Sequence, residues 1–258
     1  MSVISGVEQE TPVVGQYAVQ LRNVVKQFSV DGPIVLDNIT LDVKPGEFVS
    51  LVGASGCGKS TLLNLLAGLD TQTSGTINTS GAPTLMFQEA ALMPWLTAGK
   101  NVELALLFRG MPRGERKAKA QELLSLVHLE RSYDQRPHEL SGGMRQRVAI
   151  ARALAQDRSI LLMDEPFAAL DAITRDLLHE ELTRIWLETG MTIIFVTHNV
   201  REAVRLSQRI LLMSSRPGRI IKEWHPGGRE VRRLDSTEVA TLAAEVTDAL
   251  REEIVRHA

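Results

Sequence analysis

Gly53-Ala54-Ser55-Gly56-Cys57-Gly58-Lys59-Ser60-Thr61 is the stretch that decides the fold. It fits G-x-x-x-x-G-K-[ST], the pattern of a phosphate-binding loop. The apolar run Phe48-Val49-Ser50-Leu51-Val52 before it suits a buried strand, and Leu62 to Ala67 after it reads as a helix. Strand, glycine loop and helix are what the chemistry needs. Glycines let several backbone N–H groups converge on one anion, and the helix start adds its positive end. In that setting Lys59 reaches the β- and γ-phosphates of a nucleotide, and the Ser60 hydroxyl ligates Mg²⁺. A flexible glycine turn shares the composition but needs neither flanking element. The loop by itself specifies a nucleoside triphosphate and no reaction.

Composition narrows the classes. The chain has 258 residues, large for one compact core, so a core with a subdomain or appendix is expected. A net charge of −2 gives no reason to expect nucleic acid or anionic lipid as the main partner. Cys57 is the single cysteine, which excludes an internal disulfide framework and fits a reducing compartment. No apolar run approaches a membrane span. Met1 to Gly15 lacks a basic start and an apolar centre, so no secretory signal is expected and the protein is read as staying inside.

Outward from the loop, the expected fold class is α/β: a phosphate-loop nucleotidase core with an antiparallel β subdomain and an inserted α-helical subdomain. Residues 1–16 read as a loose tail. Residues 17–88 alternate apolar and polar: Val19, Leu21 and Val24, continued by Ile34 to Leu36 and Ile39 to Val43, read as antiparallel strands with turns at Asp31-Gly32-Pro33 and Lys44-Pro45-Gly46, and the segment ends in the strand Thr84 to Phe87. Residues 89–156 read as helical. Residues 157–222 return to a sheet, with the continuous apolar runs Ile160 to Met163 and Thr192 to Val196 expected of covered parallel strands. Residues 223–258 end in an amphipathic helix, Glu238 to Val255, read as a cover for the chain's own apolar surface. His128, His138, His179, His225 and His257 show no ligand spacing and read as surface or packing residues.

Ile160 to Met163 ends in Asp164-Glu165, two carboxylates where an open α/β sheet places its ligands. Asp164 is the expected Mg²⁺ holder, and Glu165 the general base that polarises an attacking water. An acidic turn after a core strand would look the same were there no phosphate loop. Leu140-Ser141-Gly142-Gly143-Met144-Arg145-Gln146-Arg147 is a second candidate anion cradle, a serine and glycines at a helix start. One phosphate in one chain has no need of two.

That last segment resembles the signature of the ATP-binding-cassette (ABC) ATPases. The resemblance covers about residues 17–222 and implies that Ser141, Gly142 and Gly143 face the ATP of a second copy in a head-to-tail dimer. Other motifs follow in the family's order. Phe28 matches the aromatic that stacks on adenine. Gln88 matches the glutamine that touches metal and water. Asp171, in Ala169-Leu170-Asp171, matches the segment crossing the dimer interface, and His198 the histidine at the γ-phosphate. Each has a plainer reading: core for Phe28, loop for Gln88, helix cap for Asp171 and strand end for His198. Phe87 to Leu96, Met163 to Asp171 and Ser215 to Ile220 look like the nitrate/sulfonate/taurine importer branch. Ala168 departs from it where glycine is common, and should only stiffen the turn.

The resemblance implies ATP and Mg²⁺ as cofactors. It implies two membrane permease subunits and an extracytoplasmic solute-binding protein as further partners, and a peripheral place at the cytoplasmic face of the inner membrane. Met93-Pro94-Trp95-Leu96 serves either as a groove for a permease helix or as packing within the helical subdomain. An exporter ATPase and a soluble, non-transport cassette are the alternatives. The second needs paired cassettes or a long coiled-coil insertion, which this chain lacks. Cys57, inside the loop, is expected to be blocked by bulky thiol reagents, with ATP protecting.

Overall fold

The structure, a computed structural model, describes residues 16–168, 170–228 and 236–256. Residues 1–15, Ala169 and His257 of the sequence reading lie outside the described residues. An antiparallel sheet comes first, from β1 (Val19–Gln27), β2 (Ile34–Val43) and β4 (Ser74–Thr79), in the order β2-β1-β4. The apolar runs 34–36 and 39–43 form one ten-residue strand, bounded by the turns expected at 31–33 and 44–46. What interrupts the alternation is an irregularity opposite β1: Val24 pairs with Ile39 but Lys26 with Leu36. Asn38 lies inside that shift at φ 53, a left-handed conformation that asparagine tolerates well.

The second sheet carries β3 (Phe48–Gly53), β5 (Thr84–Met86), β6 (Ile160–Asp164), β7 (Thr192–Val196), β8 (Arg209–Met213) and β9 (Ile220–Trp224). Its order is β5-β6-β7-β3-β8-β9, parallel except for the antiparallel edge strand β9. β9 was not anticipated, and a division of the chain at 222/223 falls inside it. Its residues are mostly half-buried or exposed, so no apolar run announces it.

The continuous apolar strands are buried on both faces, and the sides alternate. In β6, Ile160 and Leu162 join one core with the antiparallel sheet and α1 (Lys59–Leu66). Leu161 and Met163 join another with α2 (Ala98–Phe108), α3 (Arg113–Leu126), α4 (Gly142–Leu154) and α5 (Ala172–Thr189). Ile194 and Val196 of β7 likewise face the first core, Ile193 and Phe195 the second. Phe48 anchors the second core, edge-on to Trp186 at 5.5 Å and to Phe195 at 6.0 Å. A third core sets α6 (Val200–Leu206) and α7 (Thr237–Arg256) over Ile210, Leu212 and Trp224. α7 thus buries Val239, Ala243 and Val246 against its own chain, as its amphipathic pattern suggested.

α5 is packed tightly at two points. A Cβ on Gly143 of α4 would lie 2.4 Å from Thr174 Cγ2, so that glycine lets the two helices approach. His179 is 2% exposed, edge-on to Phe167 at 5.1 Å, with Arg205 Nη1 3.4 Å from its Nδ1. Burial first, then the Arg205 and Arg175 cations, push its imidazole down to about 3; Asp176 opposes them in part.

Gly143→Ala should lower stability by about 1–3 kcal/mol through overpacking. Thr174→Ser, which deletes the opposing methyl, should recover most of that loss in denaturant titrations. From pH 6.5 down to about 3, an unfolded chain takes up a proton at His179 that the folded chain refuses. Stability therefore falls as pH falls through that window. Thermal melts at pH 7 and pH 5 should show a smaller acid loss in His179→Gln than in the parent chain.

Candidate nucleotide site at the strand ends

Parallel pairing fixes where the polar residues gather. Met86 of β5 pairs with Met163 of β6, Asp164 with Val196 of β7, and Val196 with Leu51 of β3. Gln88, Asp164-Glu165, Thr197-His198 and the Gly53 loop all follow these residues, so they share the carboxyl edge of one sheet. On the far side Gly53 pairs with Met213 of β8.

The loop is shaped by what surrounds it. Gly58, the residue before α1, has φ 100, and a Cβ there would lie 2.6 Å from Leu36 Cδ2. No other residue type meets both conditions. α1 starts with neither a capping side chain nor an acidic residue in its first turn. Its first N–H groups therefore keep their capacity for an anion. Lys59 is 6% exposed, with its ammonium donating to the carbonyls of Gly53 and Ala54, both at 2.9 Å. These carbonyls hold the cation at the loop's mouth. Ala54, Ser55 and Thr61 complete the segment; Ser55 and Ser60 are exposed.

Cys57 does not behave as expected. Its side chain is 1% exposed and turns inward, with Sγ 3.7 Å from Lys59 Nζ, and its N–H donates to Ala54 O at 3.3 Å. A bulky reagent cannot reach the thiol while the loop is folded. The sequence placed Cys57 in the loop correctly but could not show that its side chain faces the core.

Asp164 and Ser60 meet across the site. Burial raises the Asp164 carboxyl, and the nearby Glu165 charge adds to this; the Ser60 hydrogen bond and the Lys59 charge oppose them. A half-buried carboxylate beside a hydroxyl, held up by desolvation, suits a divalent cation, which would favour the ionised form. The hard oxygen donors match Mg²⁺, which keeps several waters and phosphate oxygens as ligands.

Glu165 sits at φ 45, its N–H bound to Val196 O at 2.9 Å. That kink turns its carboxylate to His198, with Oε2 2.9 Å from Nδ1. An ionised carboxylate can only accept, so Nδ1–H donates and Nε2 is left facing outward. His198 is 64% exposed at its side chain, not a buried strand-end residue.

The remaining candidates lie around this centre. Phe28 is 66% exposed just beyond β1, with Lys26 Nζ 4.7 Å from its ring centroid, so it is not core. Its neighbour Gln27 pairs with Ile34, two residues from the Leu36 that abuts Gly58. Gln88 is exposed. Asp171 caps α5, accepting from Thr174 N at 3.0 Å, and this backbone hydrogen bond holds its carboxyl below the usual range. Ser141 caps α4, accepting from Met144 N at 3.2 Å, and with Gly142 it is exposed. Gly143 instead faces Thr174.

Two supporting residues escaped the sequence reading. Asn101 is fully buried; it accepts from Met93 N at 2.8 Å and donates to Met93, Leu96 and Thr97 carbonyls. A lone amide at the start of the largely apolar run to Phe108 was the available signal. Arg152, near the end of α4, donates to the carbonyls of Ala91 at 2.7 Å and Ala90 at 2.8 Å. It ties the helix that starts at Ser141 to the loop after Gln88, and nothing in the sequence pattern marks it.

Comparison with known proteins agrees with this geometry. The ABC transporter family matches residues 36–168. The nitrate import ATP-binding protein NrtD of Synechocystis is 49% identical over 198 residues, 74% of each chain. The taurine import ATP-binding protein TauB of Burkholderia pseudomallei is 48% identical over 194 residues, 72% of this chain and 75% of that one. A solved dimeric post-hydrolysis state of an ATP-binding cassette, bound to ADP and Pi, superposes with TM-score 0.72 at 37% identity, over 81% of this chain and 99% of that one. A phosphate loop, two carboxylates and a histidine on one sheet edge, with this family match, make the chain a member of the ABC transporter family, an ATP-binding and ATP-hydrolysing cassette.

Proposed function

We propose that this cassette powers a solute importer of the nitrate, sulfonate or taurine type. The observation that carries the mechanism is the Glu165–His198 contact of 2.9 Å beside the Ser60–Asp164 pair. The names of the similar import proteins support the direction of transport. An exporter and a non-transport cassette have no observation in their favour.

In this reading Lys59 and the α1 N–H groups hold the β- and γ-phosphates, and Phe28 stacks on adenine. Bound through Ser60, Gln88 and Asp164, Mg²⁺ would neutralise charge on the phosphate oxygens. Glu165 takes the proton of the attacking water, and His198 orients Glu165 while its outward nitrogen meets the γ-phosphate. Fixed donors of this kind supply most of the rate enhancement, because they need no reorganisation as charge develops.

A second copy completes the site. Its Ser141 and Gly142 present exposed N-terminal groups of α4, and Gly143 lets that helix sit close to α5. Asp171 orders the crossing segment by capping α5. The β subdomain and both core segments then act as one nucleotide-binding body, with the helical segment 89–156 moving against it. Two permease subunits dock on that segment, and an extracytoplasmic binding protein presents solute to them. A cavity of about 280 Å³ lined by Met93, Phe108, Arg109, Arg152 and others supports the docking, as does Trp95, 69% exposed and two residues after Met93. No helix among the described residues is long and apolar enough to cross a membrane. In this reading the docked permease subunits hold the cassette at the cytoplasmic face.

Glu165→Gln keeps the size and the His198 contact but not the basicity. It should bind Mg-ATP, dimerise with it in light scattering, and turn over at least ~100-fold more slowly. Near-parental turnover would remove Glu165 as base. Affinity capture from membranes, with identification of the permease and of its binding protein's ligand, tests the importer assignment.

A further inference from the structure

Behind the Glu165–His198 pair lies a second acidic residue with no role in the hydrolysis chemistry. Glu202 is on α6 and only 6% exposed. Its Oε2 accepts from Thr197 Oγ1 at 2.6 Å. Its Oε1 lies 3.4 Å from Arg175 Nε and 3.8 Å from His179 Nε2. Arg175, in the first turns of α5, turns its Nη2 back to donate to Leu170 O at 2.6 Å. Thr197 precedes His198, and its hydroxyl also accepts from Asn199 N at 3.0 Å, fixing the turn into α6. Glu165, Ala168, Arg175, Thr197, His198 and Glu202 together line a space of about 30 Å³, room for no more than a water or so.

Stability alone is a poor reason for this arrangement. Burial pushes the Glu202 carboxyl up, against the pull of Thr197, Arg175 and His198. Buried ion pairs are commonly replaceable by apolar residues without loss of stability. What the charges accomplish is connection. One carboxylate ties the residue before His198 to the arginine that holds the carbonyl before Asp171.

We infer that Glu202 is a positioning residue which, through Thr197 and Arg175, holds the Leu170–Asp171 segment and His198 in one register, so that closure of the dimer at Asp171 aligns His198 and Glu165 on the terminal phosphate. The inference rests on the roles proposed for Asp171, His198 and Glu165. In this reading the clamp acts through His198 and the Leu170–Asp171 segment and does not itself hold the nucleotide or the second copy. Its loss therefore acts on the alignment of groups that do, and falls on kcat rather than on ground-state binding.

The test uses steady-state ATP hydrolysis by the full chain in Glu202→Gln, Arg175→Met and the double variant. Gln keeps an acceptor for Thr197 and removes the charge facing Arg175. Each single change should lower kcat roughly ten- to hundredfold, as small misalignments do. KM for ATP should move less than about threefold, since uniform binding is untouched. The double variant should be no slower than the slower single, because both break one link. Thr197→Val leaves the ion pair in place and removes the hydroxyl that links Glu202 and Asn199 N to the residue before His198; it should show the same kcat loss even if the charge variants fold poorly. Variants whose melting temperature drops while kcat stays at the parental value would overturn the inference. So would single losses that multiply in the double variant. Failure of the hydrolysis assignment itself reads differently: Glu165→Gln would then keep parental turnover.

Discussion

The six-stranded sheet buries both faces of its central strands, and the placement of the site depends on that constraint. Ile160, Leu161, Leu162 and Met163 are all at most 2% exposed, so β6 can carry no charge until it ends. Asp164 is the first residue with solvent on any side. The same holds for β7, where Thr192 to Val196 are buried throughout and His198 emerges after Thr197. Because the strands run parallel, their ends coincide, and groups far apart in sequence arrive at one edge. A sheet covered on both sides thus has a ready place for a polar site at its carboxyl ends.

Charge at that edge is set by loop carbonyls on one side and by burial on the other. Lys59 lies on two loop carbonyls, which stabilise an ammonium without neutralising it, so its charge stays available to an anion. Asp164 is held above the usual carboxylate range, chiefly by burial. The field at the site is therefore set up for an incoming anion and its cation before either arrives, which is the condition for electrostatic preorganisation.

The sequence showed much of this because its strongest signals are local. The phosphate loop, the Asp164-Glu165 strand end and the Ser141 helix start are each defined by neighbours within a few residues, and a period-two or continuous apolar run needs no partner to be read. What escaped it is long-range or depends on direction. Asn101, Arg152 and the Arg175–Glu202 pair act through contacts between elements, and arginine or glutamate on a helix reads as a solvated face. The inward turn of Cys57 and the packing of Gly143 on Thr174 depend on which way one residue points. β9 has too little buried surface to leave a pattern, and the irregularity at Asn38 interrupts the alternation within β2 without ending the strand.

The missed residues share one geometry. Each sits on a regular element and reaches a loop that carries a proposed functional group: Asn101 the segment from Met93, Arg152 the carbonyls after Gln88, Arg175 the carbonyl before Asp171. Loops alone cannot hold side chains to the tolerance that phosphoryl transfer needs, since their backbone has few internal hydrogen bonds. Side chains anchored in helices supply the missing bonds. In Arg152 the anchor is α4, whose start carries Ser141, so displacement of one end of that helix must be felt at the Gln88 loop. In Arg175 it is α5, whose cap is Asp171. The loops are therefore not independent. Arg152 and Arg175 bind them to the helices whose starts carry Ser141 and Asp171.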